Sequence, residues 1–249
     1  MATTQQSPPP VRKDPNRHTE RTVLVVLAAL LGGLLLVIAV GAIVVGGTGG
    51  LRGIRVGGAG AATTQTRQVP SFTGIDSLGS AQVHVRVGGA QSVVVRAGSN
   101  VIDEVTTDVR SGVLEIGRQP GMRMFDVGSV TVDITVPALD SVKLTGSGDM
   151  DVSGVNAQQF AAVLPGSGRI VVSGTAQTVD ARLAGSGQLE LSDLRAQDVA
   201  AEVSGSGDVA VYASQTLDAK VSGSGSIRYA GNPAQVNRDV SGSGSITAR

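Results

Sequence analysis

The chain has 249 residues with 20 basic and 20 acidic side chains, a balance that excludes attraction to nucleic acid or acidic lipid by overall charge. It holds no cysteine, which excludes disulfides, thiolate metal sites, a cysteine nucleophile and a lipidated N-terminal cysteine. Aromatic residues make up only 2% of the chain, so its core must be aliphatic.

Residues 1–22, "MATTQQSPPPVRKDPNRHTERT", are polar and proline-rich and read as a disordered tail. The next 23 residues, Val23–Val45, carry no charged or strongly polar side chain. As a helix they would extend roughly 35 Å, enough to cross a bilayer core. The apolar run exceeds the 7–15 residues typical of a signal peptide, so an uncleaved transmembrane helix is expected. Arg12, Lys13, Arg17 and Arg21 precede it and only Arg52 and Arg55 follow closely. That bias puts the N-terminus in the cytoplasm and the rest outside, in a single-pass membrane topology. Residues 46–68 are glycine-rich and read as a stalk.

From Val69 the pattern becomes short alternating runs. "VHVRV" (Val83–Val87) and "SVVVRA" (Ser92–Ala97) flank "GGAQ" and predict two strands joined by a tight turn. "GVLEI" (Gly112–Ile116) and "VTVDITV" (Val130–Val136) continue the strand signal, and "NVIDEVTTDV" allows one short helical turn. The loop "GRQPGMRMFDVG" (117–128) gathers Met122, Arg123, Met124 and Phe125. It is either a partner-binding loop or a cap folded over the first coil of a solenoid.

After Pro137 a repeat begins. Gly-Ser-Gly triplets start at Gly146, Gly166, Gly185, Gly205, Gly223 and Gly242 and end at Gly148, Gly168, Gly187, Gly207, Gly225 and Gly244, in steps of 20, 19, 20, 18 and 19 residues. A period of this size marks a solenoid. Aligned on the triplet, apolar columns appear on both sides: Leu144, Leu164, Leu183, Val203, Val221 and Val240 before it, and Met150, Ile170, Leu189, Val209, Ile227 and Ile246 after it. A further apolar column runs through Val152, Val172, Leu191, Val211, Tyr229 and Ala248, and Phe160, Val179, Val199, Leu217 and Val236 are read as closing a third wall. Period-two alternation around a glycine corner means strand, bend, strand. The fold predicted is all-β: a right-handed parallel β-helix of about six coils of 18–20 residues, occupying residues 69–249, with the twelve triplet glycines as structural corners.

These triplets, with "VPSFTGI" (Val69–Ile75), "QVHVRVGGAQSVVVRAGSNVIDEV" (Gln82–Val105), "GVLEI" and "VTVDITVPALDSVKLTGSGDM" (Val130–Met150), resemble the head GIN domain family of autotransporter adhesins. The resemblance covers about Val69 to Arg249. It implies a cell-envelope β-solenoid with an adhesive or binding role and supplies no catalytic residues. Many members of that family enter the envelope by a signal peptide or lipid anchor, so an uncleaved membrane span is a departure.

Enzymatic chemistry on a β-helix needs carboxylates matched on adjacent coils. The outward columns after the triplet read Asp149, Arg169, Gln188, Asp208, Ser226, Ser245 and Asp151, Val171, Glu190, Ala210, Arg228, Thr247, which lack such a ladder. An Asp follows the triplet in two of six copies, so coil-by-coil calcium is not expected. His84 sits opposite to Val83 and Val85 in an alternating strand and reads as a surface residue. The sequence thus predicts a non-enzymatic, membrane-anchored envelope protein without metal or cofactor, which takes an envelope protein or glycan as ligand. The last copy ends at "SITAR" without an obvious cap, and self-association through this C-terminal coil is expected. The alternatives are a polysaccharide-acting β-helix enzyme and an envelope-stress accessory working through a membrane partner.

Overall fold

The computed structural model describes residues 60–119 and 129–249. They form one 15-stranded sheet wound into a solenoid. The eight short strands at its N-terminal end are β1 (Ala62–Arg67), β2 (Gly74–Gly79), β3 (Gln82–Val87), β4 (Ser92–Gly98), β5 (Val105–Arg110), β6 (Val113–Arg118), β7 (Thr131–Val136) and β8 (Ser141–Gly146). Long bent strands come next: β9 (Asp149–Leu164), β10 (Arg169–Gly185), β11 (Gln188–Gly205) and β12 (Asp208–Gly223). The last described coils hold β13 (Ser226–Ala230), β14 (Gln235–Gly242) and β15 (Ser245–Ala248).

Each long strand makes nearly one turn. Ala161 near the end of β9 lies beside Ser141 in β8, so a turn takes 20 residues there. Successive turns pair in parallel, with Ile170 between Met150 and Leu189. The six triplets therefore bound five complete turns; about five coils replace the expected six, because a triplet opens each turn and six openings enclose five intervals.

The apolar columns point inward. Leu144, Leu164, Val203 and Val221 are all 0–1% exposed, as are Met150, Ile170, Leu189, Val209 and Ile227. β-Branched and leucine side chains stacked at coil spacing, about 4.8 Å, fill the interior without aromatic bulk. Two outer walls matter for function. Wall A is the face after the triplet (β3 and the first halves of the long strands), and wall B the face before it (β2, β8 and the second halves).

The corner itself is decided by backbone proximity. At the fourth triplet, the Gly185 carbonyl of the preceding coil accepts the N–H groups of both Ser206 and Gly207, at 2.9 and 3.1 Å. Gly205 has φ +128°, and a Cβ there would stand 2.5 Å from the Gly185 oxygen. A Cβ on Gly207 would meet the Gly187 oxygen at 2.4 Å and Leu183 Cδ2 at 2.5 Å. Glycine is required at both places. The column is headed by Gly79-Ser80-Ala81, whose Gly79 and Ala81 carbonyls accept from Ser147, Gly148 and Asp149 in the same way.

Two local expectations change. β3 and β4 do form, but they are not a hairpin: β7 lies between them, parallel to β3 and antiparallel to β4. The chain turning out of β3 is tied to that strand, with Gly88 N–H donating to Val136 carbonyl at 2.8 Å. Val132, Ile134 and Val136 of β7 are all buried, and this apolar face outcompetes local pairing. β1 takes in Ala62–Arg67, the end of the stretch read as stalk, and pairs antiparallel with β4. Its core-facing residues, opposite Val93, Val95 and Ala97, are the polar Arg67, Gln65 and Thr63. Arg67 donates to the Ile102 and Val105 carbonyls at 2.8 and 3.3 Å, and Gln65 to Asp103 at 2.9 Å. This end of the core is thus covered by β1 and the turn at Ile102–Glu104.

The membrane expectation is also corrected. Among the described residues no helix is long and apolar enough to cross a membrane. The helical element there is a 3-10 turn of three residues, Ile102–Glu104, against the ~20 a span requires. The expected span, Val23–Val45, lies outside the described residues. The transmembrane helix, the single-pass topology with a cytoplasmic N-terminus, and the membrane as partner are accordingly not retained.

If the triplet acts through backbone proximity, its outer glycines and its serine will respond differently to substitution. Gly207→Ala is expected to lower unfolding stability by about 1–3 kcal/mol through overpacking. Ser206→Ala, at an exposed corner, is expected to change it by less than about 0.5 kcal/mol. Urea denaturation of both variants measures the difference.

Candidate binding surface on the solenoid

The Gly-Ser-Gly corners are the most repetitive feature, and their chemistry is already spent. Loops that cradle phosphate do so with free backbone N–H groups. Here the Ser and second Gly N–H groups of each triplet donate to the carbonyl of the coil before, as Ser167 and Gly168 do to Gly146 at 2.9 and 3.1 Å. The serine side chains project as an exposed row, one per coil.

On wall A the outward columns stand in the register expected, with Arg169 between Asp149 and Gln188 and Ser226 between Asp208 and Ser245. Ser226 hydroxyl donates to the Asp208 carboxylate in the adjacent coil. His84 is half exposed, and parallel pairing sets Asp133 on one side of it and Asp151 on the other. Asp151 lies 3.5 Å from His84 Nδ1, while Asp133 is paired with Arg96. The Asp133–His84 juxtaposition had no signal in the sequence, because it arises from the insertion of β7. No cluster of three His, Cys, Asp or Glu side chains suited to a metal occurs among the described residues.

Wall B carries more charge. Three residues before each triplet stand Lys143, Val163, Arg182, Glu202, Lys220 and Asp239, paired coil to coil. From Arg182 to Asp239 the sign alternates over four successive coils. At the other end Lys143 Nζ binds the Asp76 carboxylate at 2.9 Å. Opposite charges at coil spacing stabilise the stack modestly, by about 0.2–1 kcal/mol per pair. Five residues before the triplet the column reads Ser141, Ala161, Asp180, Ala200, Asp218 and Asn237. Ala200 between two aspartates leaves a depression, an open groove of about 350 Å³ whose charged lining is Asp180, Arg182, Glu202, Asp218 and Lys220, with Arg238 and Asp239 at its C-terminal side. Arg182 pairs with Asp180 at 2.9 Å, and Asn237 donates to Asp218 at 2.6 Å.

These wall B residues were absent from the sequence-derived candidates. Their signal was present in the same triplet alignment, read three and five residues upstream instead of downstream. The sequence-derived loop residues Met122, Arg123, Met124 and Phe125 lie outside the described residues. Arg195 and Tyr212 are brought together where the chain leaves wall A, the guanidinium 4.1 Å from the ring centroid.

Comparison with known proteins agrees with the fold. Residues 71–233, more than half of the chain, match the family described as "Putative auto-transporter adhesin, head GIN domain". A "putative adhesin" from Bacteroides fragilis superposes with a TM-score of 0.66 at 23% identity, over 76% of this chain and 97% of that one. A second from Parabacteroides distasonis gives a TM-score of 0.51 at 21% identity, over 78% and 99% of the two chains. A third, from Parabacteroides merdae, gives 0.51 at 19%, over 78% and 98%. At these identities the likeness is one of fold. No curated protein matches the chain.

The groove has one titration signature. Burial raises the Asp180 carboxyl above its ordinary 3.8, outweighing the lowering by Arg182, and Glu202 adds to the rise. A raised carboxyl pKa means the folded state holds this proton longer than the unfolded chain. Asp180 therefore opposes folding once ionised, and its contribution falls as pH rises from 3.8 through the folded value. Asp180→Asn stays neutral throughout. Its melting temperature relative to the native chain is expected to increase as pH is raised from 3.8 to 7, as thermal melts across that range will show.

Proposed function

This chain belongs to the head GIN domain family, and on that footing we propose that it presents its solenoid as a rigid surface for adhesion or ligand binding in the cell envelope, outside the cytoplasm. Its role is non-catalytic, in keeping with the adhesin description of the family and of its structural relatives. A membrane anchor holding the chain in the envelope is not part of this reading. The observation that carries it is the wall B groove: charged side chains of both signs, held at fixed coil spacing around Ala200, on strands β10, β11 and β12 whose backbones are paired coil to coil. Such a wall does not rearrange to bind. It recognises by charge and shape complementarity set in advance.

The ligand class fitted by this groove is an envelope glycan or protein segment bearing charges of both signs. Binding of the purified chain to arrays of cell-wall glycans, matrix proteins and envelope fractions is expected to be saturable. Lys220→Glu with Arg182→Glu is expected to weaken it roughly tenfold or more. Arg169→Glu on wall A is expected to leave it unchanged. Binding equally affected by both, or by neither, overturns the assignment to wall B, and absence of binding from a folded chain overturns the adhesive function.

A further inference from the structure

A solenoid has two ends at which its inward columns run out of coils to stack upon. On wall B one inward column reads Val142, Ala162, Ala181, Ala201 and Ala219, all buried. In the same register the next member, in β14, is Arg238. A charged residue thus stands where five successive coils place a small apolar one. Its guanidinium donates to the Tyr229 hydroxyl and lies 5.2 Å from the ring centroid. Tyr229 is the inward residue of wall A in β13, following Leu191 and Val211, and is itself buried. Arg238 is exposed on the last described strand of wall B, so this contact lies at the end of the core and not within it. Arg238 is therefore drawn over the last described coil. The other end is covered by the same device, with Arg67 of β1 facing the core and bound to the Ile102 and Val105 carbonyls.

We propose that Arg238, held by Tyr229, closes the C-terminal end of the solenoid against a second copy of this chain. Among the described residues β14 pairs with β12 alone, so its other edge offers unpaired backbone groups. Val240, which continues the buried column of Val203 and Val221, is 43% exposed on that edge. Without Arg238 the end presents an apolar row and an open strand, for which the matching end of another copy is the self-complementary partner. Because Arg67 covers the opposite end, such association stops at two chains. The self-association expected from the sequence thus becomes a latent property that one side chain suppresses.

Sedimentation velocity and light scattering on the full chain test this, reading the difference between variants. The native chain and Arg238→Glu are expected to share one mass. Arg238→Met, which keeps the bulk and removes the charge, is expected to show twice that mass at high concentration, with an unchanged far-ultraviolet β-sheet spectrum. Arg238→Met at the native mass with its fold intact overturns the proposal, as does Arg238→Glu doubling alongside it. If Arg238→Met does not fold, Arg238→Ala decides. It restores the small apolar residue that Ala181, Ala201 and Ala219 supply in the same column, and a dimer fraction no higher than the native chain's overturns the closure.

Discussion

The structure depends on one close approach, the carbonyl of each corner glycine lying in the space where the next coil's glycine has no Cβ. At Gly205 and Gly207 the clearance is about 2.5 Å to a hypothetical methyl group, less than any real Cβ tolerates. This allows two N–H groups of one coil to share a single carbonyl of the last, so those two donors need neither water nor side chains as partners. Everything else in the solenoid inherits that spacing. The inward columns stack because the corners hold register, and register is kept because a slip of one residue would turn each column out to solvent.

The same constraint sorts chemistry onto the outer walls. With the corner backbone committed, a ligand meets only side chains, arrayed in columns of fixed separation. Wall A offers mixed polar columns that largely satisfy one another, as His84 does with Asp151 and Ser226 with Asp208. Wall B combines an alternating ladder, Arg182 to Asp239, with a gap at Ala200. The ladder stabilises stacking and the gap opens space beside it, so one set of residues supports the coil and lines the groove.

The ends face the opposite problem, since regular stacking has no internal stop. The chain answers with departures from its own repeat: antiparallel β1 with Thr63, Gln65 and Arg67 turned toward the core, and Arg238 in an alanine column. An inward charge on an edge strand is costly to bury under another coil, so it discourages further stacking while its alkyl stem covers apolar surface.

The repeat unit was legible in the sequence by itself, because stacking forces identical needs on every coil. Period, corner glycines, inward columns and outward register all come from aligning the triplets, and even the wall B ladder can be read three residues upstream. What the sequence leaves open is whatever depends on pairing between distant, non-repeating segments. β7 entering between β3 and β4, Asp133 arriving beside His84, and Arg238 reaching Tyr229 at the end of the core carry no periodic mark. Local alternation specifies that a segment is a strand and which face it buries; only the packed tertiary structure, where apolar faces compete for partners, decides which strand it lies beside.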